Sequence, residues 1–277
     1  MILDDGRWHG AVTQRSIPEA DAEIHALPVE LRHTLAQLWW SQAATEGRVA
    51  KSFSVVAEAL GRRSENEELK ALAERAVDDE HRHVELCLLM ARRYAEAGPR
   101  RHTIAPPLEL PFSHPSHPEA RTPEIRDALF VIGQCVFNET LASAYLSASY
   151  DAATHPMARA ALRELLSDEV DHARIGWASL GPLPPALREE LAAWIHPLAV
   201  ANLREWRKLT LVESDGRSDP ASRRAETLTL ARHGFLEKSR IEEALFEAMR
   251  GLIAPGLGLV GLRTAPLDRW LDSGGPT

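Results

Sequence analysis

Asp79-Glu80-His81-Arg82-His83 and Asp168-Glu169-Val170-Asp171-His172 are two versions of one pattern. Each contains Glu-x-x-His, and in a helix that i,i+3 spacing puts both side chains on one face. The neighbouring apolar residues show which face. Ala73, Ala76, Cys87 and Met90 continue the 3/4 spacing through Glu80 and His83, and Leu162 and Leu165 lead directly into Glu169. Both pairs are therefore expected to point into a core. An unpartnered buried carboxylate costs on the order of several kcal/mol. Two Glu–His pairs on opposed core faces need positive charge between them, and a metal supplies it.

Reading outward, helical periodicity dominates and strand-like alternation is nearly absent. A first helix is expected over about Val29–Leu60, stopped by Gly61. Ser64 and Glu67 form a capping box that opens a second helix ending before Gly98 and Pro99. Residues 99–121 hold six prolines and read as a long extended crossover. Thr122 as N-cap with Pro123 at N1 starts a third helix reaching about Ala153, and Pro156 starts a fourth ending near Leu180. Two extension helices are expected, about Pro185–Val212 and Pro220–Arg250, the second capped by Asp219 and ended by Gly251. Residues 252–277 read as an irregular tail. The expected organisation is an N-terminal segment (1–28), an antiparallel four-helix bundle (29–181) with one long crossover, and a two-helix C-terminal extension with its tail (182–277).

Composition narrows the function. The chain has 277 residues and a formal charge of −8, which argues against a nucleic-acid binder working through a basic face. With 44% hydrophobic and 26% charged residues it is an ordinary globular composition that can bury a sizeable core. Two cysteines, Cys87 and Cys135, make no disulfide framework. The first ten residues lack the apolar run of a signal peptide, and the longest apolar stretch, Leu129–Phe137, is broken by Gly133 and Gln134 and is too short to span a bilayer. A cytoplasmic protein is expected.

The other two helices of the bundle each offer a core-directed glutamate. Glu139 shares its face with Ile132, Cys135, Ala142 and Leu146; Glu46 shares its face with Trp39, Ala43, Ala50 and Phe53. Glu46 precedes Glu80 by 34 residues and Glu139 precedes Glu169 by 30, so hairpins of long helices bring each pair to similar depth. Glu58, only 22 residues before Glu80, is the weaker competitor.

This set resembles the site of the ferritin-like di-iron carboxylate superfamily: one Glu from each of two helices, and Glu-x-x-His from each of the others. The resemblance covers about residues 29–181. It implies metal ligation by Glu46, Glu80, His83, Glu139, Glu169 and His172, with two glutamates bridging two iron ions. Asp79-Glu80-x-Arg82-His83 also resembles the Asp-Glu-x-Arg-His motif of bacterial multicomponent monooxygenases. That likeness gives Asp79 and Asp168 the role of orienting ligand histidines. The second copy departs, with Asp171 where the motif has Arg. Cys87 stands where ribonucleotide reductases place their radical tyrosine, which argues against that chemistry, and Ser143 stands where methane monooxygenase-like enzymes have Thr. The size is more similar to aldehyde-deformylating oxygenases, rubrerythrins and tRNA-hydroxylating ferritin-like enzymes.

The resemblance implies a di-iron oxidase or oxygenase that uses O2 or peroxide to oxidise a small organic substrate. Its electrons would come from an external donor or reductase, since no Rossmann glycine motif or Cys-rich carrier is present. Carboxylates with two histidines suit iron or a Mn/Fe pair better than zinc. Ferroxidase, iron-handling or peroxide-scavenging activity is the alternative, and the His-Asp dipeptide of helical phosphohydrolases does not occur. Cys87, Cys135, Trp39 and Phe53 are candidate pocket residues, and His196 and His233 are assigned packing roles. A homodimer is left open.

Overall fold

The computed structural model describes residues 16–62, 67–96, 122–209 and 220–274, and among them every regular element is helical. A short helix α1 (Ala22–Ala26), capped by the Asp21 carboxylate, precedes four long helices. These are α2 (Val29–Gly61), α3 (Glu67–Glu96), α4 (Pro123–Ala152) and α5 (Pro156–Leu180). The C-terminal part comprises α6 (Pro185–Leu209), α7 (Pro220–Arg232), α8 (238–259) and α9 (Ala265–Asp272). The capping box at Ser64, the Pro-rich crossover, the Asp219 cap and the last three residues lie outside the described residues.

Short connections make consecutive helices neighbours. α2 packs along α3, α4 packs along α5, and the two hairpins meet through α3 on α5 and α2 on α4. One apolar cluster joins Leu35 and Trp39 of α2, Leu86, Met90 and Tyr94 of α3, and Met157 and Leu162 of α5. A second joins Leu129, Ile132 and Val136 of α4 to Leu191 and Ile195 of α6, Leu245 and Ile253 of α8, and Leu271 of α9. Each such side chain stabilises the fold by about 1.5–3 kcal/mol. α4 is thus covered on both sides. Among the described residues it alone is long and apolar enough to cross a membrane, and 72% of its apolar window is buried inside the protein.

Thr122 caps α4 through its hydroxyl, which accepts from the Ile125 N–H at 3.3 Å, with Pro123 at the first position. The helix does not continue regularly. Residues Ile132–Asn138 adopt a π-helical turn that runs directly into Glu139. At this level α5 approaches so closely that a Cβ on Gly176 would lie 2.7 Å from the Cys135 Cβ and 2.8 Å from backbone atoms. Only glycine fits there.

The C-terminal part corrects the sequence reading in two places. The expected helix over 220–250 is two helices, because Gly234 adopts φ +94° and ends α7 in a Schellman motif. Phe235 N–H donates to Leu230 O at 2.9 Å and Gly234 N–H to Ala231 O at 3.0 Å, while Leu230 and Phe235 share one apolar cluster. Gly251 does not end a helix either. It sits in a second π turn (Met249–Ile253), and the helix runs on to Leu259, where Gly261 at φ +81° closes the next Schellman motif. The expected irregular tail is therefore helical over Ala254–Leu259 and Ala265–Asp272. Gly256 serves packing: a Cβ there would lie 2.7 Å from the Trp177 ring.

The break also places a buried polar pair. His233 Nδ1 lies 2.8 Å from the Tyr94 hydroxyl, and its ring stacks on His155 at 4.8 Å. Burial, then the charges of His155 and Arg232, lower the His233 pKa to about 4. An unfolded histidine titrates near 6.5, so the unfolded chain binds this proton first. The pair's contribution is complete above about pH 6.5 and is lost as pH falls toward 4. Tyr94→Phe leaves the His233 nitrogen buried without a donor. At neutral pH it should cost about 1–3 kcal/mol and lower Tm by several degrees in a thermal unfolding scan.

Candidate metal centre

The two Glu-x-x-His motifs face each other across the α3–α5 contact. Asp79 lies opposite His172 and Asp168 opposite His83, a pairing that rises on one helix as it falls on the other, so the helices are antiparallel. Between them converge two groups of ligand-type atoms. Glu46, Glu80, His83 and Glu169 form one, and Glu80, Glu139, Glu169 and His172 form the other, with the atoms of each group within 4.8 Å of one another. All six residues are at most 3% exposed. Glu80 and Glu169 belong to both groups.

The contacts resemble a coordination shell more than a hydrogen-bond network. His172 Nδ1 is 3.0 Å from Glu80 Oε1 and 3.4 Å from Glu169 Oε2. His83 Nδ1 is 3.4 Å from Glu80 Oε2 and 3.6 Å from Glu169 Oε1. Metal–ligand bonds of about 2.1 Å at right angles would put neighbouring donors about 3.0 Å apart. Both Glu80 oxygens, Glu169 Oε2 and both Nδ1 atoms are buried without a hydrogen-bond partner. Five lone-pair-bearing atoms turned toward one another with nothing bonded between them fit a cation shared by them. These residues fit a dimetal site.

The outer nitrogens are held crosswise. His83 Nε2 lies 3.1 Å from Asp168 Oδ2 and His172 Nε2 lies 3.4 Å from Asp79 Oδ2, so each aspartate engages the histidine of the other repeat. An Nε2–H donated to the carboxylate leaves the Nδ1 lone pair facing the centre. Arg82 ties the system together, reaching Asp79 Oδ1 at 2.5 Å and Asp168 Oδ2 at 3.3 Å. This accounts for the departure in the second motif: one arginine serves both aspartates. Asp171 faces outward and pairs with Arg174 at 2.5 Å, at 52% side-chain exposure.

The electrostatics are those of a carboxylate-rich core. Burial, and then the negative charges of Glu80 and Glu169, push the Glu46 carboxyl well above its ordinary pKa. Burial and Glu169 do the same to Glu139. Burial alone would also raise Glu80, but the two imidazoles overcome it and lower its pKa to about 2. For His83 and His172 burial opposes the charged form, and the surrounding carboxylates nevertheless raise both well above 6.5. Without a metal the cluster must recruit protons. With four ionised glutamates, two divalent cations would balance the charge.

The two glutamates outside the motifs have amide partners that the sequence did not reveal. Gln42 Nε2 donates to Glu46 Oε1 at 2.5 Å. Gln134 donates to Glu139 Oε1, joined by Asn138 Nδ2 at 3.1 Å. The π turn aligns the first of these pairs, since i and i+5 share a face in a π helix and not in an α-helix. Gln134 had read only as a break in an apolar run. Trp206 of α6 then donates from Nε1 to Asn138 Oδ1 at 3.0 Å.

Other candidates surround the centre without joining it. Cys87 and Cys135 are fully buried free thiols. Burial, and then nearby glutamates, raise the pKa of each. Phe53 packs its ring 4.9 Å from the His172 ring, and Trp39 packs on Phe235 at 5.3 Å. The Ser143 hydroxyl is buried and unpartnered. A cavity of about 70 Å³ does reach the centre, but none of these five residues lines it. Its floor includes Glu46, Glu139 and Glu169, and it opens between α2, α4 and α6.

The chain matches no protein-family model, no curated protein and no solved structure. The chemistry of the cluster therefore carries the functional reading. If Asp168 sets the orientation and basicity of His83, Asp168→Asn should weaken metal binding by about 10–100-fold in competition with a chromophoric chelator. Asp171→Asn, three residues away and exposed, should leave the affinity unchanged.

Proposed function

We propose that the protein is a ferritin-like dimetal oxidase. In this reading the four long helices form a bundle with one long crossover, hold two iron ions or a Mn/Fe pair, and oxidise a small organic substrate at the expense of O2 or peroxide. The observation that carries it is the sharing of Glu80 and Glu169 by two ligand groups, each completed by its own histidine and its own further glutamate. A single-metal site has no use for the second set. Carboxylate-rich ligation with two imidazoles favours iron or manganese over zinc.

Glu80 and Glu169 would serve both ions, Glu46 and His83 would complete the set for one, and Glu139 and His172 would complete the set for the other. Redox-active ions held there supply the electron transfer that O2 reduction needs. The chain's own residues do the rest. Asp79 and Asp168, neutralised in part by Arg82, fix both imidazoles in the tautomer that presents Nδ1. Gln42, Gln134 and Asn138 hold the Glu46 and Glu139 carboxylates by donated hydrogen bonds and favour their ionised form. Cys87, Cys135 and Phe53 pack around the ligands and exclude water on the sides away from the cavity. Neutral buried thiols fit a reducing cytoplasmic setting.

The reading separates from iron storage in one assay. The apoprotein is given a large excess of Fe(II) in air, and iron oxidation and protein-bound iron are followed together. An oxidase stops at site stoichiometry and consumes further O2 only when a reductant is added. Continued Fe(II) oxidation with growth of a ferric mineral would instead establish ferroxidase or storage activity.

A further inference from the structure

We propose that the cavity above Glu46 and Glu139 binds a small aliphatic monocarboxylate, and that Arg48 is the residue that takes its carboxylate group. The inference deepens the reading above: it rests on that reading for the chemistry at the cavity floor, while binding by Arg48 can be tested apart from it.

The cavity measures about 70 Å³. A single water needs about 10–15 Å³ of such space, and an apolar cavity of about 150 Å³ takes benzene. This one therefore takes a short alkyl chain of about three carbons, with a polar head group left at its mouth. Buried Glu46, Glu139 and Glu169 form its deep end, whereas the half-buried Thr45, Arg48 and Glu205 stand at its mouth. Helix geometry agrees. On α2, Arg48 is rotated about 200° from Glu46 and lies one turn before Ser52, so it reaches the cavity from the outer edge.

Arg48 makes no hydrogen bond or ion pair among the described residues. Elsewhere the described arginines that line internal contacts have carboxylate or carbonyl partners, as Arg82, Arg93 and Arg159 do. A half-buried guanidinium with five unused donors at the mouth of a cavity is matched to a planar anion, which it can grip with two parallel hydrogen bonds. It is badly placed for the entry of a divalent cation. A cavity of this volume has no room for a second charged group, which favours a monoanion over a dianion. Between mouth and floor an apolar strip from Val49, Ala142, Leu146 and the Trp206 ring runs beside the polar Gln42, Ser52 and Asn202. A short alkyl chain held by its carboxylate at Arg48 would run along that strip and end at the dimetal ligands.

Isothermal titration calorimetry with butyrate and with its neutral isostere butyramide tests this, using the full chain loaded with redox-silent Zn(II) and again metal-free. Wild-type protein should bind one butyrate per chain and bind butyramide at least about tenfold more weakly. Arg48→Gln should lose about tenfold or more in butyrate affinity while keeping its thermal unfolding and its Zn(II) stoichiometry, and Arg48→Lys should recover part of the loss. Equal butyrate binding by Arg48→Gln and wild type would overturn the assignment, because the carboxylate would then be held by the metals. Absence of saturable butyrate binding would overturn it as well. Should the wild type take up no metal, the dimetal reading falls, and the same comparison on the metal-free chain still decides the role of Arg48.

Discussion

Four glutamates and two histidines are buried around one point, and the rest of the structure answers to the cost of that burial. Each carboxylate removed from water would cost several kcal/mol on its own. Both Glu80 oxygens, Glu169 Oε2 and the two Nδ1 atoms have no hydrogen bonds of their own, and other polar groups hold the ligand side chains in place. Asp79, Asp168 and Arg82 brace the histidines from outside, and Gln42, Gln134 and Asn138 brace Glu46 and Glu139. Around that polar shell the helices supply a dense apolar sheath, which makes unpaired charge still more costly and a bound cation correspondingly more favourable.

The two halves are related but unequal. Both hairpins deliver a glutamate and a Glu-x-x-His, and the crosswise aspartate–histidine contacts treat the repeats alike. Two features break the likeness. Arg82 has no counterpart, since Asp171 turns outward. The π turn in α4 likewise has none in α2: it places Gln134 against Glu139 where α2 uses an i,i+4 pair, Gln42 and Glu46. Gly176 on α5 admits this wider turn at close range. The cavity opens on the same side, between α2, α4 and α6, so the irregular helix and the open approach to the centre coincide.

Much of this was legible in the chain. The duplicated Glu-x-x-His on apolar stripes, with glutamates 34 and 30 residues upstream, was sufficient to name the six residues that the structure gathers, because helical period and hairpin depth are set locally. The starts of α4 and α5 followed from Thr122-Pro123 and from Pro156. What escaped depends on tertiary context. Helical period carries no mark of a π turn, so Gln134 looked like an interruption. Gly234 inside an apparently continuous pattern did not announce a left-handed residue, because a glycine is tolerated in a helix until packing demands the turn. The segment after Gly251 read as an irregular tail, although Gly256 is small because Trp177 lies on it, and Gly261 and Gly274 are the glycines there with positive φ among the described residues. The contribution of α6 to the cavity, through Asn202 and Trp206, had no local signature at all.

Whether the buried cluster holds two metals is decided by anaerobic Fe(II) titration. Binding should saturate at two Fe(II) per chain for the wild type, and at one or none for Glu139→Ala in a protein that is still folded. Failure of the wild type to bind Fe(II) saturably, or saturation at a single ion unaffected by Glu139→Ala, would contradict a two-metal site.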